Sequence, residues 1–111
     1  MIDLGLKYHG DKIPETVIET ERGQRMVYIP YDVTEDNGHY SWTYIRINQF
    51  KYNYGELINH LIGMKYSLQE TLAILNNYIA DPNNKDYKAE FDDLQKCRKE
   101  AKDFARKHFN M

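Results

Sequence analysis

Arg25-Met26-Val27-Tyr28-Ile29-Pro30-Tyr31-Asp32-Val33-Thr34-Glu35-Asp36-Asn37-Gly38-His39-Tyr40-Ser41-Trp42-Thr43-Tyr44-Ile45-Arg46-Ile47 decides the fold. Val27, Ile29, Tyr31 and Val33 alternate with polar or intermediate residues, the period of a half-buried strand. Asn37-Gly38 follows, and this dipeptide readily takes the positive φ angles of a two-residue hairpin turn. The return run from His39 to Ile47 is rich in aromatic and β-branched residues, which suit a pleated surface. Residues 25–50 therefore read as a β-hairpin. Pro30 cannot donate to a ladder, which places the first strand at an edge or a bulge at that point. A lone hairpin is marginal in water, so this one needs cover from a helix, from the N-terminal residues or from another chain.

Upstream, residues 1–24 are weakly patterned and interrupted by Gly5, Gly10, Pro14 and Gly23. Thr16-Val17-Ile18-Glu19-Thr20 is the one strand-like run, and Glu21-Arg22-Gly23-Gln24 suits a turn in which Gly supplies a positive φ. The expectation is an extended, partly ordered arm that adds at most a third strand. Downstream, residues 54–111 read as three helices, at about 55–65, 68–80 and 86–108. Leu57, Ile58, Leu61 and Ile62 form one apolar stripe, and Leu68, Leu72, Leu75 and Ile79 another, widened by Ile74 and Tyr78. Ser67-Leu68-Gln69-Glu70 has the capping-box form, and Pro82 disfavours helix at Asp81. In the third helix Asp86, Glu90, Asp92 and Asp93 come early, while Lys96, Arg98, Lys99, Lys102, Arg106 and Lys107 come late, as the helix dipole favours. Its expected length of roughly 35 Å exceeds the roughly 27 Å across a compact domain of this size, which leaves part of it to project or to meet a partner. The fold class is α+β: an N-terminal antiparallel hairpin of two or three strands, then three helices, with residues 25–111 forming a single domain.

The chain has 111 residues and a formal net charge of -2, with 29% charged and 41% hydrophobic residues. That balance suits a folded globular chain. No apolar run approaches the roughly 20 residues of a membrane-spanning helix. Met1-Ile2-Asp3-Leu4-Gly5-Leu6 lacks the basic-then-apolar order of a signal peptide. Cys97 is the sole cysteine, so there is no internal disulfide, and this usage fits a reducing compartment.

Tyr54-Gly55-Glu56-Leu57-Ile58, Lys65-Tyr66-Ser67, Ile74-Leu75-Asn76-Asn77-Tyr78, Asp81-Pro82, Ala89-Glu90-Phe91, Leu94-Gln95 and Arg98-Lys99-Glu100-Ala101-Lys102 together carry a resemblance. The stretch from about 40 to 105 resembles small uncharacterised proteins encoded in prophages and mobile regions of gut Bacteroidetes, often near tail or structural genes. The shared features are packing and capping motifs. The resemblance implies a bacterial, phage-associated setting, in the cytoplasm or in the phage particle, and brings no catalytic residues with it.

No constellation points to catalysis, a metal or a cofactor. His9, His39, His60 and His108 are scattered without ligand spacing. Glu56 and His60 lie one helical turn apart, opposite the first apolar stripe, as a surface pair would. Cys97 falls on or beside an apolar helix face, where a cysteine acts as a small hydrophobe. Neither a nucleophile elbow nor a phosphate-binding glycine loop is present, and no small-molecule ligand is indicated. The helices at 55–65 and 68–80 have helix-turn-helix proportions, yet no Lys or Arg occurs from Leu68 to Asn84 to neutralise phosphates. The late basic residues, including Lys96, Lys99, Lys102 and Arg106, spread around their helix and read first as a solvated end. They are also the candidate contact of an alternative function, a small nucleic-acid-binding regulator. The sequence disfavours that alternative.

Tyr40, Trp42 and Tyr44 share one face of the return strand, while Ser41, Thr43, Ile45 and Ile47 share the other. Two readings stay open: the aromatic row is core, or it is an outward contact surface of the kind that Tyr and Trp dominate. The hairpin carries Arg25 and Arg46 against Asp32, Glu35 and Asp36, a balance that repels a phosphate backbone. The functional expectation is a non-enzymatic phage- or prophage-type accessory or structural protein. It acts through protein–protein contact or self-association, with Tyr40, Trp42 and Tyr44 as the candidate surface and the third helix as a second one.

Overall fold

Two tight turns organise the N-terminal half of the computed structural model, which describes residues 2–111. Strand β3 (Gln24–Asp36) turns through Asn37 and Gly38, at φ 50° and 80°, into β4 (His39–Asn48). Asp36 pairs with His39 across this turn and Val27 with Ile47 at the far end. A second turn of the same kind, through Arg22 and Gly23 at φ 51° and 78°, joins β2 (Val17–Glu21) to β3. The short β1 (Tyr8–Gly10) pairs antiparallel with the other side of β4, with Tyr8 opposite Trp42. The result is a four-stranded antiparallel sheet in the order β1-β4-β3-β2.

This corrects the expected two- or three-stranded hairpin with an extended arm: residues 1–24 supply both edge strands. β2 follows the alternation of Val17-Ile18-Glu19-Thr20-Glu21. β1 is three residues long, too short to display a period. Pro30 also finds an explanation. Partners on β2 end at Tyr28, so Pro30 lies where β4 alone flanks β3 and a missing N–H is tolerated. Just beyond it the register slips between Tyr31 and Thr34. Asp32, at φ 54°, and Val33 together face the single residue Trp42, which makes a β-bulge with a left-handed first residue. Asp adopts that region more readily than most residues. Gly10 allows a close approach: a Cβ there would stand 3.3 Å from the Trp42 ring, which would have to give way by a few tenths of an ångström.

The chain clusters into two compact units, one running to Tyr52 and one from Asn53 to Met111. The first ends in a 3-10 turn over Gln49–Lys51, opened by the Asn48 side chain, which accepts from Phe50 N at 2.9 Å. Its buried side chains line both sides of the central strands: Val27, Ile29, Ile45 and Ile47 on one face, Met26, Tyr28 and Trp42 on the other.

The second unit holds α1 (Tyr54–Gly63), α2 (Leu68–Ala80) and α3 (Lys85–His108). Each helix begins at a polar cap that satisfies first-turn amides. Asn53 accepts from Glu56 N at 3.0 Å, Ser67 from Glu70 N at 3.0 Å, and Asn84 from Asp86 N and Tyr87 N at 3.0 and 3.2 Å. Glu70 accepts from Ser67 N at 3.3 Å and completes the capping box. α3 packs on both α1 and α2. The buried side chains of the unit are Leu57, Ile58 and Leu61 on α1 and Leu94, Ala101 and Ala105 on α3. α2 has no buried residue. It is fixed to α3 by Tyr78, whose ring stacks on Phe91 with centroids 4.0 Å apart.

Candidate protein-contact surfaces

The observed register places Tyr40, Trp42 and Tyr44 on one face of β4. Tyr8 of β1 lies opposite Trp42 and stacks beside it, with centroids 6.4 Å apart and planes at 22°. Tyr44 meets Tyr8, Trp42 and Tyr28 edge-on at 5.2, 6.3 and 6.3 Å. This edge-to-face order sets ring edges against neighbouring faces, as ring quadrupoles prefer. Trp42 is only 9% exposed, while Tyr40 and Tyr44 are half-buried. The indole of Trp42 therefore packs against Tyr8 and Tyr44 of the sheet, and Tyr40 and Tyr44 are the members of the row that stay partly accessible. Trp42 Nε1 is buried without a hydrogen-bond partner among the described residues.

At the inner end of the cluster the Tyr28 hydroxyl donates to the Glu21 carboxylate, and Arg46 Nη1 donates to Glu21 Oε1 at 3.3 Å. Burial pushes the Tyr28 phenol above its ordinary value of 10.0, and the hydrogen bond to Glu21 pushes it further. These groups tie β2, β3 and β4 together.

Pairing of β1 with β4 also assembles a group invisible in the sequence, where its members stand some thirty positions apart. His9 and His39 stack with ring centroids 5.7 Å apart. Ser41 Oγ and His9 Nδ1 share a hydrogen bond at 3.1 Å, and His39 Nδ1 meets Asp11 Oδ1 at 3.2 Å. The hydroxyl and the carboxylate engage different imidazoles, so no base is both oriented and aimed at a nucleophile as hydrolytic triads require. No group of three His, Cys, Asp or Glu among the described residues is disposed to hold a metal.

On α2 the apolar row behaves differently from a core stripe. Leu68, Leu72 and Ile79 are 74%, 49% and 75% exposed, and Leu75 is half-buried. Thr71, Ile74 and Tyr78 form the better-covered side of the helix. The row was legible from its spacing; its openness was not, because periodicity shows which residues share a face and not what covers it. Beside it, a groove of about 440 Å³ is lined by Tyr66, Glu70, Ile74, Asn77, Glu90 and Asp93. Its carboxylates face no imidazole or lysine among these residues.

Lys96, Lys99, Lys102 and Arg106 are all exposed on α3. At 100° per residue, Lys99, Lys102 and Arg106 fall within an arc of about 60°, a tighter row than the sequence reading assigned to this end. Cys97 is half-buried on the same helix. No described helix is long and apolar enough to cross a membrane. Comparison with protein-family models, with curated proteins and with solved structures returns no match.

Proposed function

We propose that this chain is a non-enzymatic accessory or structural protein of phage or prophage type that works through protein–protein contact. The observation that carries the reading is the open aliphatic row of α2. Single exposed apolar side chains are ordinary, but contiguous apolar patches on a folded surface mark contact sites. Leu68, Leu72 and Ile79 form such a patch at the spacing a partner helix reads. Burying it gains about 25 cal/mol per Å². Tyr40 and Tyr44 add a second, smaller surface on the sheet unit. The resemblance over residues 40–105 supports the phage setting, in the cytoplasm or in the particle.

The test uses the full chain as bait in a lysate of its source cells, with its own solution mass measured in parallel, against a Leu68→Gln/Ile79→Gln variant. Both residues are largely exposed, so the variant keeps its fold. The expected result is an interaction of the parent that the variant loses. Retention of every interaction by the variant overturns the reading.

The exposed row of Lys99, Lys102 and Arg106 favours a second reading, a nucleic-acid contact along α3 in a small regulator. It predicts binding that weakens as salt rises, by about one unit of logarithmic slope per phosphate contact.

A further inference from the structure

We infer that the partner of α2 is α2 of a second copy of this chain, packed antiparallel. The inference rests on the reading of α2 as an interaction face and names its occupant. The first argument is spacing. Leu68, Leu72, Leu75 and Ile79 are separated by steps of four, three and four residues, the alternation of a left-handed coiled-coil seam. The same order read backwards is also four, three, four. A two-fold axis passing between the positions of Ala73 and Ile74 therefore sets Leu68 against Ile79 of the second copy and Leu72 against Leu75 of the second copy. An isologous interface requires a patch that complements itself in this way.

Charge selects the same direction. Between Lys65 and Asn84 the only charged side chains are Lys65, Glu70 and Asp81. Antiparallel packing brings Asp81, at the end of one α2, towards Lys65, in the turn that precedes the other α2, and does so at both ends. Parallel packing would set Lys65 on Lys65 and Asp81 on Asp81. Glu70 lines the neighbouring groove and stands off the row. Antiparallel helices also place the positive end of each macrodipole beside the negative end of the other.

Area sets the strength. α2 has 13 residues, about 20 Å of helix at 1.5 Å per residue. One pair of such helices covers less than the roughly 800 Å² per partner of a standard interface. The dimer is thus a weak one that dissociates on dilution.

Sedimentation velocity of the full chain across about a hundredfold range of concentration tests this, an interval spanning about 2.7 kcal/mol of binding free energy. The mass is expected to rise from 13.3 kDa towards twice that value. Leu72→Glu is expected to remain monomeric throughout, with a parental circular dichroism spectrum. Asp81→Lys alone and Lys65→Asp alone each weaken dimerisation by about tenfold, through two like-charge pairs at the rim. Combining the two substitutions restores it. A parent that stays monomeric over the whole range overturns the inference, as does a dimer indifferent to Leu72→Glu. Single reversals without effect overturn the antiparallel register. A monomeric parent leaves the wider interaction reading standing as long as Leu68→Gln/Ile79→Gln still loses a captured protein.

Discussion

At Tyr28 a fully buried phenol donates to a carboxylate that Arg46 also engages, so three strands meet in one polar contact. Tyr28→Phe keeps the ring and removes the donor. The expected cost is about 1–2 kcal/mol, between a neutral hydrogen bond and one to a charged acceptor, read from urea unfolding. Alkaline pH supplies an independent check. The folded state holds the Tyr28 proton above the ordinary phenol value of 10.0. Above that pH the native chain binds more protons than the unfolded one at this site, and stability falls as pH rises through the folded value. Tyr28→Phe should therefore show a shallower alkaline loss than the parent, and an unchanged slope would remove Tyr28 from the account. Residue-scale chemistry was legible wherever it was local: Asn37-Gly38 announced its turn, and Ser67 with Glu70 announced its cap. Tyr8 against Trp42 and His9 against His39 were not legible, because strand pairing brings them together over thirty residues or more. No short-range pattern encodes that closure.

Among the helices, α2 depends least on burial and most on its own ends. It has no buried side chain, and Tyr78 on Phe91 is its aromatic anchor to α3. Isolated helices of this length are marginal in water, so the capping box carries a larger share of its order than caps do in α1 or α3. Ser67→Ala is expected to destabilise α2 by about 1 kcal/mol. Amide hydrogen exchange should locate the effect: α2 amides exchange faster, while those of β3 and β4 keep their protection. Uniform acceleration across the chain would instead mean that α2 is integral to both cores. The extent of α2 was readable residue by residue, since a capping box opens it and Asp81-Pro82 closes it. β1 lay beyond reach, because three residues hold too few side chains to display alternation. The bulge was half legible: Pro30 raised a bulge or an edge, but the place at Asp32-Val33 was hidden, since its cue is a left-handed Asp with no glycine to mark it.

Across the whole molecule the charge is sorted along the chain. The sheet unit carries an acidic excess, and α3 runs from acidic to basic along its length. Order of this kind has two physical readings. One is a helix end that obeys its dipole, the other a cationic footprint for phosphates. Magnitude separates them. Lys96, Lys99, Lys102 and Arg106 are the candidate contacts, Asp103 and Glu100 stand among them in sequence, and the net charge is -2. Non-specific binding draws its free energy from released counterions, so a few cations embedded in an acidic chain supply little of it. The expected outcome is that the anisotropy of a labelled DNA duplex, or of a labelled RNA strand, stays flat on titration at about 50 mM salt, where such contacts are strongest. A rise that diminishes with added salt and disappears in Lys99→Ala/Arg106→Ala would make α3 the working surface. The open row on α2 would then be the face that pairs two copies, spacing their basic rows along one nucleic acid.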